Sequence, residues 1–310
     1  MTLRIAIVGL GKIARDQHIP AIAATDGVEL VAVASRNASL PGVPQFPNIE
    51  ALLRDGPEID AVALCTPPQA RYAQAAAALA AGKHVLLEKP PGASVAELAP
   101  LVAAAQRTAR TLFATWHSRF GPAVDPARDF LATRQIRAVR IEWKEDVRVW
   151  HPGQQWIWQP GGLGVFDPGI NALSILTRIL PRPVFTTESE LSFPENRAAP
   201  IAARLGFSDG AGLEVRAEFD WRQTGPQTWD IMAETDSGAM ILSDGGRRLS
   251  VDGRVLAEGA SREYAGIYRR FVELAARGES DVDLSPFVHV ADAFMLGRRI
   301  VVEPFLDAPP

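Results

Sequence analysis

Short apolar runs alternate with helical stretches through the first third of the chain. LRIAIVGL (3–10) reads as a strand and leads into a helical stretch to about residue 24. VELVAVAS (28–35), AVALCT (61–66), HVLLEK (84–89) and TLFATW (111–116) read as further strands. Between them, ARYAQAAAALAAG (70–82) is a helix with Gly82 as its stop signal. SVAELAPLVAAAQRT (94–108) is another, with Ser94 as N-cap and Glu97 three residues on as a capping box. Strands that are apolar at nearly every position, separated by helices, predict a parallel sheet covered on both faces.

The pattern changes after Arg119. A helix is expected over about 123–134, and another near 163–180 after a glycine-rich link. IRAVRIEWKEDV (136–147), LEVRAEFDW (213–221), TWDIMAET (228–235) and GAMILSD (238–244) follow the rhythm of strands with one wet face. SREYAGIYRRFVELAARG (261–278) closes as a helix at Gly278. Strands without intervening helices predict a second domain of α+β type with an open, mainly antiparallel sheet. The expected division is 1–118 for a doubly wound Rossmann domain and 119–310 for a substrate-binding domain.

Composition narrows the function classes. A net charge of −4 gives no basic footprint for nucleic acid. Cys65 is the only cysteine, which excludes an intrachain disulfide and a multi-cysteine zinc site, and no metal is expected. No apolar run has the length of a membrane span. Met1-Thr2-Leu3-Arg4 runs directly into the first strand, so a reducing, cytoplasmic setting is expected.

The first strand ends in IAIVGLGKIA, which places Gly9, Gly11 and Ala14 as G-x-G-x-x-A between strand and helix. In that context the motif predicts a dinucleotide site: Gly9 for the tight turn, Gly11 for close approach of a pyrophosphate, and the helix start for its charge. An NAD site normally offers an acid to the ribose at the end of the second strand. Here that strand ends in Ser35-Arg36-Asn37, groups that can bond and neutralise a 2′-phosphate. NADP is therefore expected in preference to NAD.

One stretch resists a purely structural reading. LLEKPPG (86–92) starts as a buried strand and ends with Glu88 and Lys89 before two prolines. Charges at a buried strand end are costly unless paired or used. With GLGKIA, the TPP at 66–68, AGKHVLLEKP (81–90), HSRFGP (117–122) and GGLGVFDPGIN (161–171), this stretch makes nearly the whole chain resemble the Gfo/Idh/MocA family. LGKIARDQHIPAI, FATWHSRF, WKEDVRVWHPGQQWIW and FDPGINALSI make it similar to the branch of bacterial aldose 1-dehydrogenases for L-arabinose and D-galactose.

The resemblance implies that Lys89 reaches the reacting hydroxyl. Partly desolvated beside a cationic nicotinamide, it can exchange a proton near neutral pH. It implies a cofactor site of Gly9, Gly11, Lys12, Ile13, Ser35, Arg36, Cys65, Thr66, Pro67, Glu88 and Lys89. Glu88 is expected to orient the nicotinamide ribose or its own loop. Many members carry Asp and His four residues apart where this chain has Asp167 and Asn171, a spacing that shares one helix face. Asparagine cannot act as a base, so Asp167 is left with Lys89 to manage the proton, and Asn171 becomes a sugar ligand. Asp167-Pro168 also fits an N-cap followed by proline. Two further departures are Arg71 and His117, where many members have histidine and asparagine; His117 suits either a substrate contact or a packed histidine.

Four of the seven tryptophans fall between 143 and 158. Indole faces beside polar groups suit the apolar CH faces of a sugar, while at least two of the four are expected in core. By resemblance, Glu145 and His151 contact the sugar; Trp150 is a further candidate for its apolar face, and Trp229 could close the pocket. The expected activity is oxidation of L-arabinose or D-galactose at the anomeric carbon to the lactone, with an aldose as the small-molecule partner. Homo-oligomer contacts through the second domain's sheet are also expected. Rival readings are another sugar or inositol oxidoreductase of the family, or a non-catalytic NADP sensor, which would need neither Lys89 nor Asp167.

Overall fold

The structure is a computed structural model that describes residues 2–306. The chain divides into two compact units. Unit 1 comprises the residues up to His117 together with Arg262–Leu284, and unit 2 comprises Ser118–Ser261 with the residues from Ser285 on. The segment around the helix Glu263–Arg277, assigned by sequence to the second domain, thus packs into the first. Its apolar stripe (Ile267, Phe271 and Leu274, all fully buried) is that of an ordinary surface helix and carries no address.

Unit 1 is built on six strands: β1 (Leu3–Val8), β2 (Val28–Ala34), β3 (Gln45–Phe46), β4 (Ala61–Leu64), β5 (His84–Leu87) and β6 (Leu112–Ala114). They pair in the order β3-β2-β1-β4-β5-β6, and every pairing is parallel. All four residues of β4, and Ile5, Ala6 and Ile7 of β1, have no exposed surface, as a sheet covered on both sides requires. The strand order reverses between β1 and β4, and ligands of open α/β sheets bind at the carboxyl ends beside such a reversal.

Two local expectations change in detail. The helix expected over 94–108 begins at Leu98, so Ser94 is not its cap. Glu97 does reach back, accepting from the backbone N–H of Ala93 and Ser94. The helix after Gly11 opens into a wider π-type turn over Ala14–His18 before continuing as Ile19–Ala23.

Unit 2 carries nine strands: β7 (Ile136–Lys144), β8 (Phe185–Pro194), β9 (Ala202–Ser208), β10 (Glu214–Asp220), β11 (Thr228–Thr235), β12 (Gly238–Ser243), β13 (Arg248–Val251), β14 (Arg254–Glu258) and β15 (Arg298–Val302). Their order is β14-β13-β12-β11-β7-β10-β9-β8-β15. All neighbours are antiparallel except β7 with β10 and β8 with β15. Alternation sorts the faces. Val139, Ile141 and Trp143 of β7 are buried beside Val215, Ala217 and Phe219 of β10, while Lys144 on the other face pairs with Glu218 at 2.8 Å.

The helix Phe166–Ile179 packs on the buried face. Its approach is close at Gly169, where a Cβ would lie 2.7 Å from the Phe219 ring. Glycine at this point lets the start of the helix, with Asp167, rest directly on the central strands.

Candidate active site

The glycine turn has the geometry of a dinucleotide cradle. Gly9 has φ +91°, and a Cβ there would meet Thr66 atoms at 2.8 Å, so only glycine fits between the turn and the end of β4. At Gly11 a Cβ would meet nothing within 4 Å, so the backbone there faces open space at the start of the helical run 12–23. Open space above a helix start, with backbone amides directed into it, fits a pyrophosphate. Lys12 is exposed and pairs with Asp16, and Ile13 is also exposed. At the end of β2, Ser35 is half-buried with its N–H on the Phe46 carbonyl, and Arg36 is exposed. Beyond β4, Thr66 donates its hydroxyl to Gln74 Oε1 at 2.6 Å, and Pro67 is exposed. Cys65 is buried at the end of β4.

The Glu88-Lys89-Pro90 stretch follows β5, and the Lys89–Pro90 peptide is cis. Lys89 is half-buried. Glu88 is buried, and its carboxylate is occupied by protein groups. Oε1 faces His18 Nε2 at 3.0 Å and accepts from the Tyr264 hydroxyl at 2.9 Å, while Oε2 accepts the Lys89 backbone N–H at 2.8 Å. Burial alone would push the Glu88 carboxyl up. The hydrogen bond and charge of His18, with His117 and Arg71, outweigh it and hold the group at about 2. For His18, burial disfavours the charged ring, but Cys65, Tyr268 and Glu88 together raise it well above the usual imidazole range. The Glu88 carboxylate, held at about 2 and 3.0 Å from Nε2, is the physical anchor of that proton.

His117 lies in unit 1 at the end of β6. Its Nδ1 pairs with the Glu263 carboxylate, and its ring stacks on Tyr264 with centroids 5.4 Å apart. Sequence reasoning did not find His18, Glu263, Tyr264 or Tyr268. They lie up to 250 positions from their partners, and no local spacing signals them. Arg71 stood out only by its residue type. In the structure it is buried, and it donates to the carbonyls of Thr66, Glu88 and Pro90.

Unit 2 gathers a second cluster. Glu145 follows β7 and is buried. Its carboxylate accepts from two indoles, Trp229 Nε1 at 2.9 Å and Trp221 Nε1 at 3.3 Å. His151 lies between two carboxylates, with Nε2 3.6 Å from Glu145 Oε1 and Nδ1 3.6 Å from Asp167 Oδ2. Both separations are ion-pair distances and too long for hydrogen bonds. The His151 ring leans on Trp221 at 5.3 Å.

The helix bearing Asp167 begins at Phe166, so Asp167 lies inside its first turn and is not the N-cap. Asn171 follows one turn later and is partly exposed. Trp229 stacks on Trp143 at 6.0 Å and meets Trp150 at 5.1 Å, and Trp150 is exposed over 42% of its surface. Trp143 and Trp158 are core residues. Trp221, unassigned from sequence, is fully buried behind the His151 ring. A buried carboxylate held by two indole N–H groups beside a partly exposed indole suits a ligand with hydroxyls and apolar faces. Among the described residues no cluster suited to a metal ion occurs, and no helix is long and apolar enough to cross a membrane.

A Rossmann sheet with this glycine turn defines a dinucleotide-binding class of protein. The chain belongs to the Gfo/Idh/MocA oxidoreductase family: residues 3–115 match its NAD-binding Rossmann fold, and the similarity to relatives extends over the whole chain. It is 48% identical over 305 residues to galactose 1-dehydrogenase of Pseudomonas fluorescens, which covers 98% of this chain and 99% of that one. It superposes on the crystal structure of a D-galactose-1-dehydrogenase protein from Rhizobium etli with a TM-score of 0.95, at 59% identity over 98% of each chain. KijD10, a 3-ketoreductase from Actinomadura kijaniata crystallised with NADP, shares the fold with a TM-score of 0.81 at 18% identity, over 97% of this chain and 100% of that one.

Proposed function

We propose that the protein is an NAD(P)-dependent aldose 1-dehydrogenase that oxidises D-galactose, L-arabinose or both at the anomeric carbon, giving the sugar lactone. The observation that carries this reading is the cluster in unit 2, where Glu145 and Asp167 converge on His151 beside Trp150, Trp221 and Trp229. Whole-length similarity to two galactose 1-dehydrogenases supports the same substrate class.

In this reading Gly9, Gly11, Ser35, Arg36 and the Thr66-Pro67 turn hold the cofactor, with NADP preferred because Arg36 offers its charge where an acid would repel a 2′-phosphate. The nicotinamide, when bound, supplies the hydride acceptor. Lys89 and Asp167 are the groups that manage the proton leaving the anomeric hydroxyl. Asn171 and His151 bond ring hydroxyls, and Glu145 fixes the presented face of the sugar, so that the transferred hydrogen is directed consistently. Glu88 holds the lysine loop and performs no chemistry.

A single spectrophotometric panel tests the proposal. Purified protein is offered D-galactose, L-arabinose, D-glucose, D-xylose and myo-inositol with NADP or NAD, and cofactor reduction is followed at its near-ultraviolet band. Reduction with galactose or arabinose is the expected result. Reduction with inositol alone, or with no sugar, defeats the reading.

A further inference from the structure

We propose that Arg71 is a positioning residue for Lys89, tying the loop that carries the lysine to the turn that follows β4. Arg71 sits in the first turn of the helix Pro68–Ala80, yet it is only 5% exposed, an uncommon state for a cation. Its Nε donates to the Thr66 carbonyl at 2.8 Å, and its Nη1 donates to the carbonyls of Glu88 and Pro90. Those two carbonyls belong to the residues on either side of Lys89. Thr66 opens the Thr-Pro-Pro turn, and the same helix reaches it again through Gln74, which accepts the Thr66 hydroxyl.

A further tether acts on Lys89 itself, because its N–H donates to Glu88 Oε2, and that carboxylate is held by His18 and Tyr264. The backbone is therefore pinned before, at and after the lysine, so that mainly side-chain torsions remain to aim the amine. Three carbonyl oxygens in different directions require a rigid fork of donors. A guanidinium has that shape, whereas an ammonium is a point charge and an imidazole has two nitrogens. Arg71 acts through Lys89, so this inference rests on the reading that Lys89 takes part in the proton transfer.

The test uses the full chain with Arg71→Ala, Arg71→Gln and Arg71→Lys. Three quantities are measured: NADPH affinity by fluorescence titration, turnover on galactose with and without millimolar guanidinium, and acylation of the Lys89 amine relative to Lys144 by mass spectrometry in protein without cofactor. For Arg71→Ala the expected result is a turnover loss of about 100-fold, partly restored by guanidinium, with NADPH affinity within about threefold of wild type. The Lys89-to-Lys144 labelling ratio is expected to change, and Arg71→Lys to recover only part of the loss. The glutamine and lysine variants carry the same comparison if the alanine variant does not fold. A folded variant lacking the guanidinium that keeps wild-type turnover, or that keeps the wild-type labelling ratio, overturns the proposal. A wild-type protein that oxidises no aldose defeats the functional reading instead, and the labelling ratio still decides the role of Arg71.

Discussion

His18 Nε2 lies 3.0 Å from Glu88 Oε1, and the two side chains are 0% and 3% exposed. The pair joins the helical run after the glycine turn to the end of β5, so the cofactor cradle and the lysine loop share one buried charge pair. Breaking such a pair by removing one partner leaves the other charge buried. Glu88→Gln should therefore cost about 3–5 kcal/mol of stability, measured by denaturant unfolding. A loss of a few tenths would show that the pair is not ionised.

The same pair sets a pH window. Glu88 is held at about 2 against an ordinary 4.5, so its contribution is complete above about 4.5 and is lost as pH falls through about 2. His18 is raised well above 6.5, so its contribution is complete below 6.5 and is lost as pH rises through its folded value. The melting temperature should be flattest between about pH 4.5 and 6.5 and should fall on both sides. In Glu88→Gln the acid limb should be shallower. An unchanged acid limb would assign it to other carboxylates.

Lys89→Ala should lower turnover by roughly two to four orders of magnitude while the protein still binds NADPH, as expected for loss of a proton-transfer group. Steady-state rates with a fluorescence titration of cofactor separate the two effects. Near-normal turnover removes Lys89 from the mechanism.

Arg36→Ala should raise the Michaelis constant for NADP by about tenfold and leave that for NAD nearly unchanged, because only the former carries the 2′-phosphate. Equal changes for both cofactors would return Arg36 to the role of an exposed loop cation.

Gly9→Ala should abolish cofactor binding and destabilise unit 1 by at least about 2 kcal/mol, from the left-handed backbone and the contact with Thr66. Calorimetric titration with NADPH and a melting curve check both effects.

Glu145→Gln places an amide where two indole N–H groups require acceptors. The Michaelis constant for galactose should rise by about tenfold or more, with that for NADP unchanged. Equal losses for both would indicate a folding defect.

The sequence by itself determined the elements that depend on neighbours along the chain. Continuous apolar runs between helices specify a parallel sheet with two covered faces, because hydrophobic period and residue type are local properties. Gly9 and Gly11 were legible for the same reason, since a tight turn between strand and helix imposes its own residue types. So was the oddity of Glu88 and Lys89, a pair of charges at a buried strand end.

The partners of those charges were decided only by the tertiary structure. Glu88 meets His18 and Tyr264, which are 70 and 176 positions away. Arg71 turns into the chain to reach the carbonyls around Lys89. The helix Glu263–Arg277 returns to unit 1, and β10 inserts parallel to β7 in a mainly antiparallel sheet. Likewise Glu145, His151 and Asp167 come from a strand end, a loop and a helix start, and meet because Gly169 lets that helix rest on Phe219. Hydrophobic periodicity states that a face is buried but not against what, and a buried charge is satisfied by whichever group packing brings within reach.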